Sequence, residues 1–142
     1  MSSPKPVQIE TTINAPIKEV FEAWLNPEAM QKFMCPAEGM SVAKTEADPK
    51  VGGQFLVVMQ VGDEQWPHRG EYKLIDRYRE LQFTWLSNYT APDSLVTLKL
   101  EELSERSTKI SLHHEGFIHQ ESRDNHEGGW GRILEVLGKF LT

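Results

Sequence analysis

The spacing of the hydrophobic residues changes along this 142-residue chain, and that change is the strongest constraint on its fold. From about residue 40 to residue 116, apolar and polar side chains alternate. A period of two predicts strands that bury one face. The alternation is clearest where Val96, Leu98 and Leu100 are interleaved with polar residues. After residue 129 the apolar residues are three and four positions apart, which indicates a helix.

Six strands are predicted in the alternating region, at residues 40–48, 55–61, 66–78, 81–86, 95–103 and 109–115. Short connections join them, including turns at 49–53 and 105–106, so the strands are expected to form an antiparallel sheet. Tyr72 and Leu74 are expected on one face of their strand. The other strands place these residues on shared faces: Phe55, Val57, Met59 and Val61; Leu81, Phe83 and Trp85; Ile110, Leu112 and His114.

The segment before the sheet predicts one more strand, at residues 7–13, and two short helices. Asn14 is expected to cap the first helix and Pro16 to lie in its first turn. An apolar stripe at positions 17, 20, 21, 24 and 25 marks the buried face of that helix. Asn26 precedes a proline and is therefore disfavoured in helical conformation, so the first helix ends there. A second helix is predicted over residues 28–33.

The C-terminal segment carries the one helical stripe long enough to cover the sheet. It consists of Trp130, Ile133, Leu134, Leu137 and Leu141, with Phe140 expected to widen it. A sheet with an apolar face must bury that face against another layer. The prediction is therefore an α+β domain over residues 1–142, with a curved antiparallel sheet around a long C-terminal helix. Residues 1–6 are expected to form a flexible tail.

Composition limits the function. Fifteen basic and twenty-one acidic residues give a net charge of -6, without a Lys/Arg cluster, which argues against nucleic-acid binding. The single cysteine, Cys35, excludes an internal disulfide and a cysteine-based zinc site. Neither a signal peptide nor a stretch of 18 apolar residues is found, so a cytoplasmic protein without membrane contact is expected.

Three blocks of the sequence resemble a known family: INAPIKEVFEAWLNPEAMQKF, DPKVGGQFLVVM and LHHEGFIHQESRDNHEGGWGRILEVLGKFL. They are similar to small bacterial proteins related to the C-terminal domain of activators of the heat-shock-protein-90 ATPase, within the START-like (SRPBCC) superfamily. The resemblance implies a helix-grip fold, as in START and Bet v 1-like proteins, with a cavity that often takes an apolar ligand. It also implies that Gly52 and Gly53 precede a strand and that Gly129 and Trp130 lie in the gripped helix.

The histidines near the C-terminus decide between a metal site, a catalytic cluster and a structural role. His113 alternates with the apolar face and is expected in solvent, as is His119 near the helix start. His114 shares the face of Ile110 and is expected to be a hydrogen-bonded core residue. His126 lies one helical step before Trp130, so it and His114 form the one pair that could meet. Neither an HExxH spacing nor a third ligand is present, so no metal site is predicted.

A cavity between sheet and helix would be lined by aromatic, sulfur-containing and histidine side chains. The candidates are Phe33, Met34, Phe55, Met59, Tyr72, Phe83, Trp85, His114, Phe117, His126 and Trp130. Trp66 and His68, in the segment 62–70, are candidates for the rim, either on a flap or on a hairpin. Most of these residues also suit a plain core. Gly128, Gly129 and Gly131 each cost up to about 1 kcal/mol in a helix, which suggests close packing, a bend or retained space.

The leading functional hypothesis is a binding protein for a mainly hydrophobic small molecule, oriented by polar groups such as His114, Tyr72 and His126. A second is a co-chaperone-like module that binds a chaperone or another protein. A third is a cyclase- or hydrolase-type enzyme on a hydrophobic substrate. Because no nucleophile motif is present, no catalytic residue is assigned. No cofactor is expected, and the chain is expected to be a monomer or a homodimer.

Overall fold

A computed structural model describes residues 4–87 and 90–142, and these residues form one antiparallel sheet and three helices. The strands are β1 (Val7–Ile13), β2 (Ser41–Ala47), β3 (Gln54–Val61), β4 (Glu64–Asp76), β5 (Glu80–Thr84), β6 (Leu95–Ser104) and β7 (Ser107–Glu115). The helices are α1 (Ile17–Ala23), α2 (Pro27–Phe33) and α3 (Gln120–Leu141). The predicted α+β helix-grip class is confirmed. Of the predicted tail, residues 1–3 lie outside the described residues.

The sheet has the strand order β1-β7-β6-β5-β4-β3-β2, and the long strand β4 lies where it bends. The first part of β4, residues 64–71, pairs with β3, whereas residues 72–76 pair with β5. An irregularity between Tyr72 and Leu74 shifts the register there. Leu74 therefore does not share the buried face with Tyr72 as predicted. Ile75, opposite Leu81, packs against the core instead.

The two short helices are confirmed, but their caps differ from the prediction. The N-cap of α1 is Pro16, in extended conformation, and no side chain caps this helix. Asn14 is two residues too early to reach the free N–H groups of the first turn, so its expected cap is wrong. Asn26 performs that role for α2, because its Oδ1 accepts from the backbone N–H of Glu28 at 2.9 Å.

The core lies between the sheet and α3, with Trp24 of the first helical segment near its centre. The Trp24 ring is 5.0 Å from that of Phe33 and 6.3 Å from those of Phe83 and Trp130, measured between centroids. The predicted stripe of α3 is buried at Trp130, Ile133, Leu134 and Leu137. Phe140 does not widen it: its side chain is 43% exposed, because it lies at the edge of the stripe in the last turn.

Candidate functional site

A groove of about 520 Å³ opens between the N-terminal half of α3 and the hairpin of β3 and β4. Its apolar walls are formed by Pro36, Met59, Trp66, Pro67, Trp85, Trp130 and Ile133, with Gly129 between them. The polar residues along it are Gln65, His68, Ser87, His119, Glu121, Ser122, Asn125 and His126. This groove is the candidate site.

One wall of the groove is formed by two strands and the other by a helix. On β4, Trp66 and His68 are two residues apart and therefore point to the same face. Trp66 lies opposite Met59 of β3, so a strand pair forms one wall. On α3, His126 and Trp130 are four residues apart and form the other wall. The segment 62–70 is thus mostly strand, and it carries its rim residues on a hairpin.

The structure brings together six of the predicted cavity and rim residues along the groove: Met59, Trp66, His68, Trp85, His126 and Trp130. The other predicted residues are buried but do not line it: Phe33, Met34, Phe55, Tyr72, Phe83, His114 and Phe117. Ring packing fills the space between them, as between Phe55 and Phe83, whose centroids are 5.4 Å apart. The hydroxyl of Tyr72 donates to the backbone oxygen of Trp24 at 3.0 Å.

His114 is fully buried and uses both ring nitrogens within the protein. The indole N–H of Trp130 lies 2.9 Å from Nδ1, and Oγ of Ser94 lies 2.6 Å from Nε2. An indole nitrogen only donates, so Nδ1 must be the acceptor and a neutral His114 carries its proton on Nε2. That proton is donated to Ser94. His114 therefore cannot remove a proton from Ser94, and the Ser94–His114 contact is not a nucleophile–base pair.

Electrostatics keeps His114 neutral. Burial, with smaller contributions from His126 and His113, lowers the pKa of His114 to about 3. A protonated His114 would be a cation in the core, and neither of its hydrogen-bond partners, Ser94 and Trp130, is a carboxylate that could compensate the charge. His114 thus links β7, α3 and the segment before β6 by neutral hydrogen bonds, which is the structural role predicted from its position on the strand.

His126 lies at the groove with one ring nitrogen committed. Its Nδ1 is 2.8 Å from the carbonyl oxygen of Ser122, which can only accept, so Nδ1 carries the proton and neutral His126 has a lone pair on Nε2. Burial lowers the pKa of His126. The rings of His126 and His114 meet edge to face with centroids 5.3 Å apart. They do not form an acid–base pair, because both nitrogens of His114 are already bonded.

His68 and Trp85 place unpaired polar atoms in the groove wall. Their rings stack at 4.8 Å and 25°, and both side chains are buried. Within the described residues, neither His68 Nδ1 nor Trp85 Nε1 has a hydrogen-bond partner. Burial lowers the pKa of His68 to about 4, and His126 adds to this, although the backbone of Trp66 and of Val57 acts in the opposite direction. Buried polar groups without partners are uncommon, and a water molecule or a ligand polar group can satisfy them.

Several groove residues were not predicted from the sequence. On α3, Glu121, Asn125 and Gly129 precede Ile133 in steps of four and so form one row beside the row of His126 and Trp130. His126 and Trp130 were paired from the sequence because they are four positions apart. The same spacing links Glu121, Asn125 and Gly129 and could have identified them. Ser94 carries no sequence signal, because its role depends on a loop that brings it beside β7.

Two other hollows lie outside this groove. One of about 660 Å³ is larger, but polar and charged side chains of the outer sheet face, such as Glu10, Glu80 and Lys99, line it. The other, about 560 Å³, lies between β1 and the C-terminal half of α3. Among residues 4–87 and 90–142, no group of three or more His, Cys, Asp and Glu side chains is arranged to hold a metal ion. No described helix is both long and apolar enough to cross a membrane.

A curled antiparallel sheet that holds a long C-terminal helix, with a groove between them, defines the START-like helix-grip class. Within that class the chain belongs to the family of Activator of Hsp90 ATPase homolog 1-like proteins, whose sequence profile matches residues 14–142. No curated protein sequence matches the chain.

Solved structures show the same fold at low sequence identity. A crystal structure of a protein from Chromobacterium violaceum has a TM-score of 0.87 at 23% identity, covering 96% of each chain. One from Nitrosomonas europaea has a TM-score of 0.79 at 21% identity, covering 99% of this chain and 96% of that one. A solution structure of an AHSA1-like protein from Aeromonas hydrophila has a TM-score of 0.80 at 18% identity, covering 95% and 90%.

Proposed function

We propose that the groove between α3 and the β3–β4 hairpin binds a small, mainly apolar molecule. The observation that carries this proposal is a groove of about 520 Å³ whose wall holds unpaired polar atoms on His68 and Trp85. Ligand sites in proteins typically have volumes of about 300 to 1,000 Å³, with apolar walls and few polar groups. The volume of the groove lies in this range, and seven apolar side chains form its walls.

Burial of aromatic surface would supply the affinity. Trp66 is 40% exposed at the rim, while Trp85 and Trp130 are almost fully buried at the base. A ligand that covers Trp66 and fills the groove removes apolar surface from water at about 25 cal/mol per Å². Orientation would come from the lone pair of His126 and from the unpaired atoms of His68 and Trp85.

The other two hypotheses have less support. An acid–base enzyme would need a histidine whose pKa lies near the working pH, but His114 is bonded at both nitrogens, and burial lowers the pKa values of His68 and His126. A protein-interaction module would use a continuous exposed apolar surface. Apart from Trp66, the large exposed apolar side chains are spread over separate segments: Val51, Leu103, Ile118 and Phe140.

Binding of N-phenyl-1-naphthylamine, an uncharged apolar fluorophore, tests the proposal. The key variant is Gly129→Leu, because Gly129 lines the groove and a Cβ there would lie 3.2 Å from Cβ of Pro36. Its matched control is Gly128→Leu, one position earlier on the exposed side of α3, where a Cβ meets no atom within 4 Å. Both variants replace a helical glycine by the same residue.

We expect the wild-type protein and Gly128→Leu to bind the fluorophore with similar affinity. Gly129→Leu is expected to lose about tenfold or more, because the new side chain occupies space in the groove. A melting curve of each variant verifies that it is folded. Equal binding by both variants, or none by the folded wild type, would contradict the proposal.

A further inference from the structure

The ionisable side chains that line the groove are one carboxylate and three histidines. Its one carboxylate is that of Glu121, in the first turn of α3, and no Lys or Arg side chain is among the described residues that line it. Two of its histidines, the buried His68 and the part-buried His126, have pKa values lowered by burial and are neutral near pH 7, and the third, His119, is exposed at the N-cap of α3. An anionic ligand would therefore meet neither a lysine nor an arginine among the described lining residues, whereas a cation would meet a carboxylate.

Glu121 also differs from the other carboxylates of its helix. Asp124 and Glu127 both pair with Arg123, at 3.1 and 2.9 Å, and Glu135 pairs with Lys139 at 3.3 Å. Within the described part of the chain, Glu121 is the α3 carboxylate without an ion pair.

The rest of the groove suits a positively charged ligand. The indole of Trp66, 40% exposed at the rim, can hold an organic cation through its negative ring face, which attracts cations within about 6 Å of the ring centroid. The lone pair on Nε2 of His126 accepts a hydrogen bond from an ammonium group. An ammonium group only donates, so it matches both this lone pair and the carboxylate of Glu121.

We infer that the groove selects an organic cation, a protonated amine carried on an apolar aromatic body, and that Glu121 pairs with its ammonium group. This inference rests on the proposed function and adds the charge of the ligand to it. It excludes fatty acids and phosphate esters as the preferred occupants.

Another explanation of Glu121 has to be separated from this one. A carboxylate in the first turn of a helix interacts favourably with the helix dipole, whatever the groove binds. Removing the carboxylate would then change stability but would not discriminate between charged and uncharged ligands. The test must therefore compare ligands of different charge in the same variant.

Three molecules on one skeleton provide that comparison: 2-(1-naphthyl)ethylamine, 2-(1-naphthyl)ethanol and 1-naphthylacetate. They are cationic, neutral and anionic at about pH 8, where histidines of ordinary pKa are neutral. Isothermal titration calorimetry of each ligand is performed on the wild type, on Glu121→Gln and on Asp124→Asn. Asp124 is the matched control, because its carboxylate is exposed on the same helix but does not line the groove.

For the wild type we expect the amine to bind more tightly than the alcohol, and the alcohol more tightly than the acetate. Glu121→Gln should weaken the amine by about two- to fivefold, as for an exposed ion pair, and leave the alcohol unchanged. Asp124→Asn should change neither ligand.

Two results overturn the inference in distinguishable ways. If the alcohol binds but the amine binds no better, or if Glu121→Gln weakens both equally, charge selection is wrong and the proposed function stands. If none of the three ligands binds the folded wild type, the proposed function and the inference fail together.

Discussion

The indole N–H of Trp130 donates to Nδ1 of His114 across 2.9 Å and so joins α3 to β7 inside the core. On its other side, His114 is bonded to Ser94 before β6. Because an indole N–H cannot accept a hydrogen bond, Nδ1 of His114 must accept one and carries no proton. His114 is therefore neutral, and its Nε2 donates to Ser94. His114, one of the histidines weighed as a possible catalytic cluster, is thus a cross-link of the fold.

Replacing Trp130 by Phe should cost more stability than the same change at Trp24. Both indoles are almost fully buried, but Trp24 Nε1 has no hydrogen-bond partner in the described structure. Trp130→Phe also leaves Nδ1 of His114 buried and unpaired, which costs about 1–3 kcal/mol beyond the lost packing. Urea unfolding of both variants measures the difference. Equal losses would show that the Trp130–His114 bond contributes little.

Stability should fall as the pH drops below about 6.5. The pKa of His68 is lowered to about 4 and that of His114 to about 3 from an ordinary 6.5, mainly by burial. Below pH 6.5 the unfolded chain binds protons that the folded chain does not, so the free energy of unfolding decreases toward acid.

Each of these two histidines adds a slope of up to about 1.4 kcal/mol per pH unit. Denaturant titrations at pH 7, 6 and 5 measure this loss. A free energy of unfolding that stays constant from pH 7 to 5 would contradict the assignment.

Gly70→Ala should destabilise the protein severely. A Cβ at Gly70 would overlap the backbone oxygen of Thr84 and the ring of Phe55. The backbone cannot move aside without breaking the strand pairing. The cost should therefore reach or exceed the upper end of the range of about 1–3 kcal/mol that is typical of overpacked cores.

Gly128→Ala, in helix α3, should have the opposite effect on stability. No atom lies within 4 Å of its Cβ position, so the change should stabilise by up to about 1 kcal/mol through helix propensity. Thermal melts of the two alanine variants are compared with the wild type. A Gly70→Ala protein that melts at the wild-type temperature would refute the close contact.

Asn26→Ala should destabilise by about 0.5–2 kcal/mol, because Asn26 caps α2. Asn14→Ala is the matched control, because Asn14 also lies just before a helix, α1, but does not cap it. Chemical denaturation of both variants distinguishes them. The cap assignment fails if the two losses are equal.

The fold could be predicted from the sequence because its evidence is repeated along the chain. The buried face of β6 is indicated by three alternate residues, Val96, Leu98 and Leu100. The buried stripe of α3 is likewise indicated by several residues at helical spacing. A register shift depends on one position, however, and no periodic signal marks it. That is why the packing of Ile75 against the core in place of Leu74 was not predicted.

The site was less predictable, since it depends on which buried side chains leave space. Alternation places Phe55 and Met59 on the same face of β3, yet Met59 lines the groove and Phe55 packs between Phe83 and Tyr72. The sequence gives the direction of each side chain, whereas the volume left between α3 and the sheet depends on all of them together.

The contact between Trp85 and Trp130 has an optical consequence. Their ring centroids are 4.8 Å apart and their planes are inclined by 56°. When two indoles are this close and inclined to each other, their electronic transitions couple. The coupling produces a pair of circular-dichroism bands of opposite sign. Since this pair forms the base of the groove, the protein contains a chromophore whose near-ultraviolet spectrum depends on how its helix and sheet are held together.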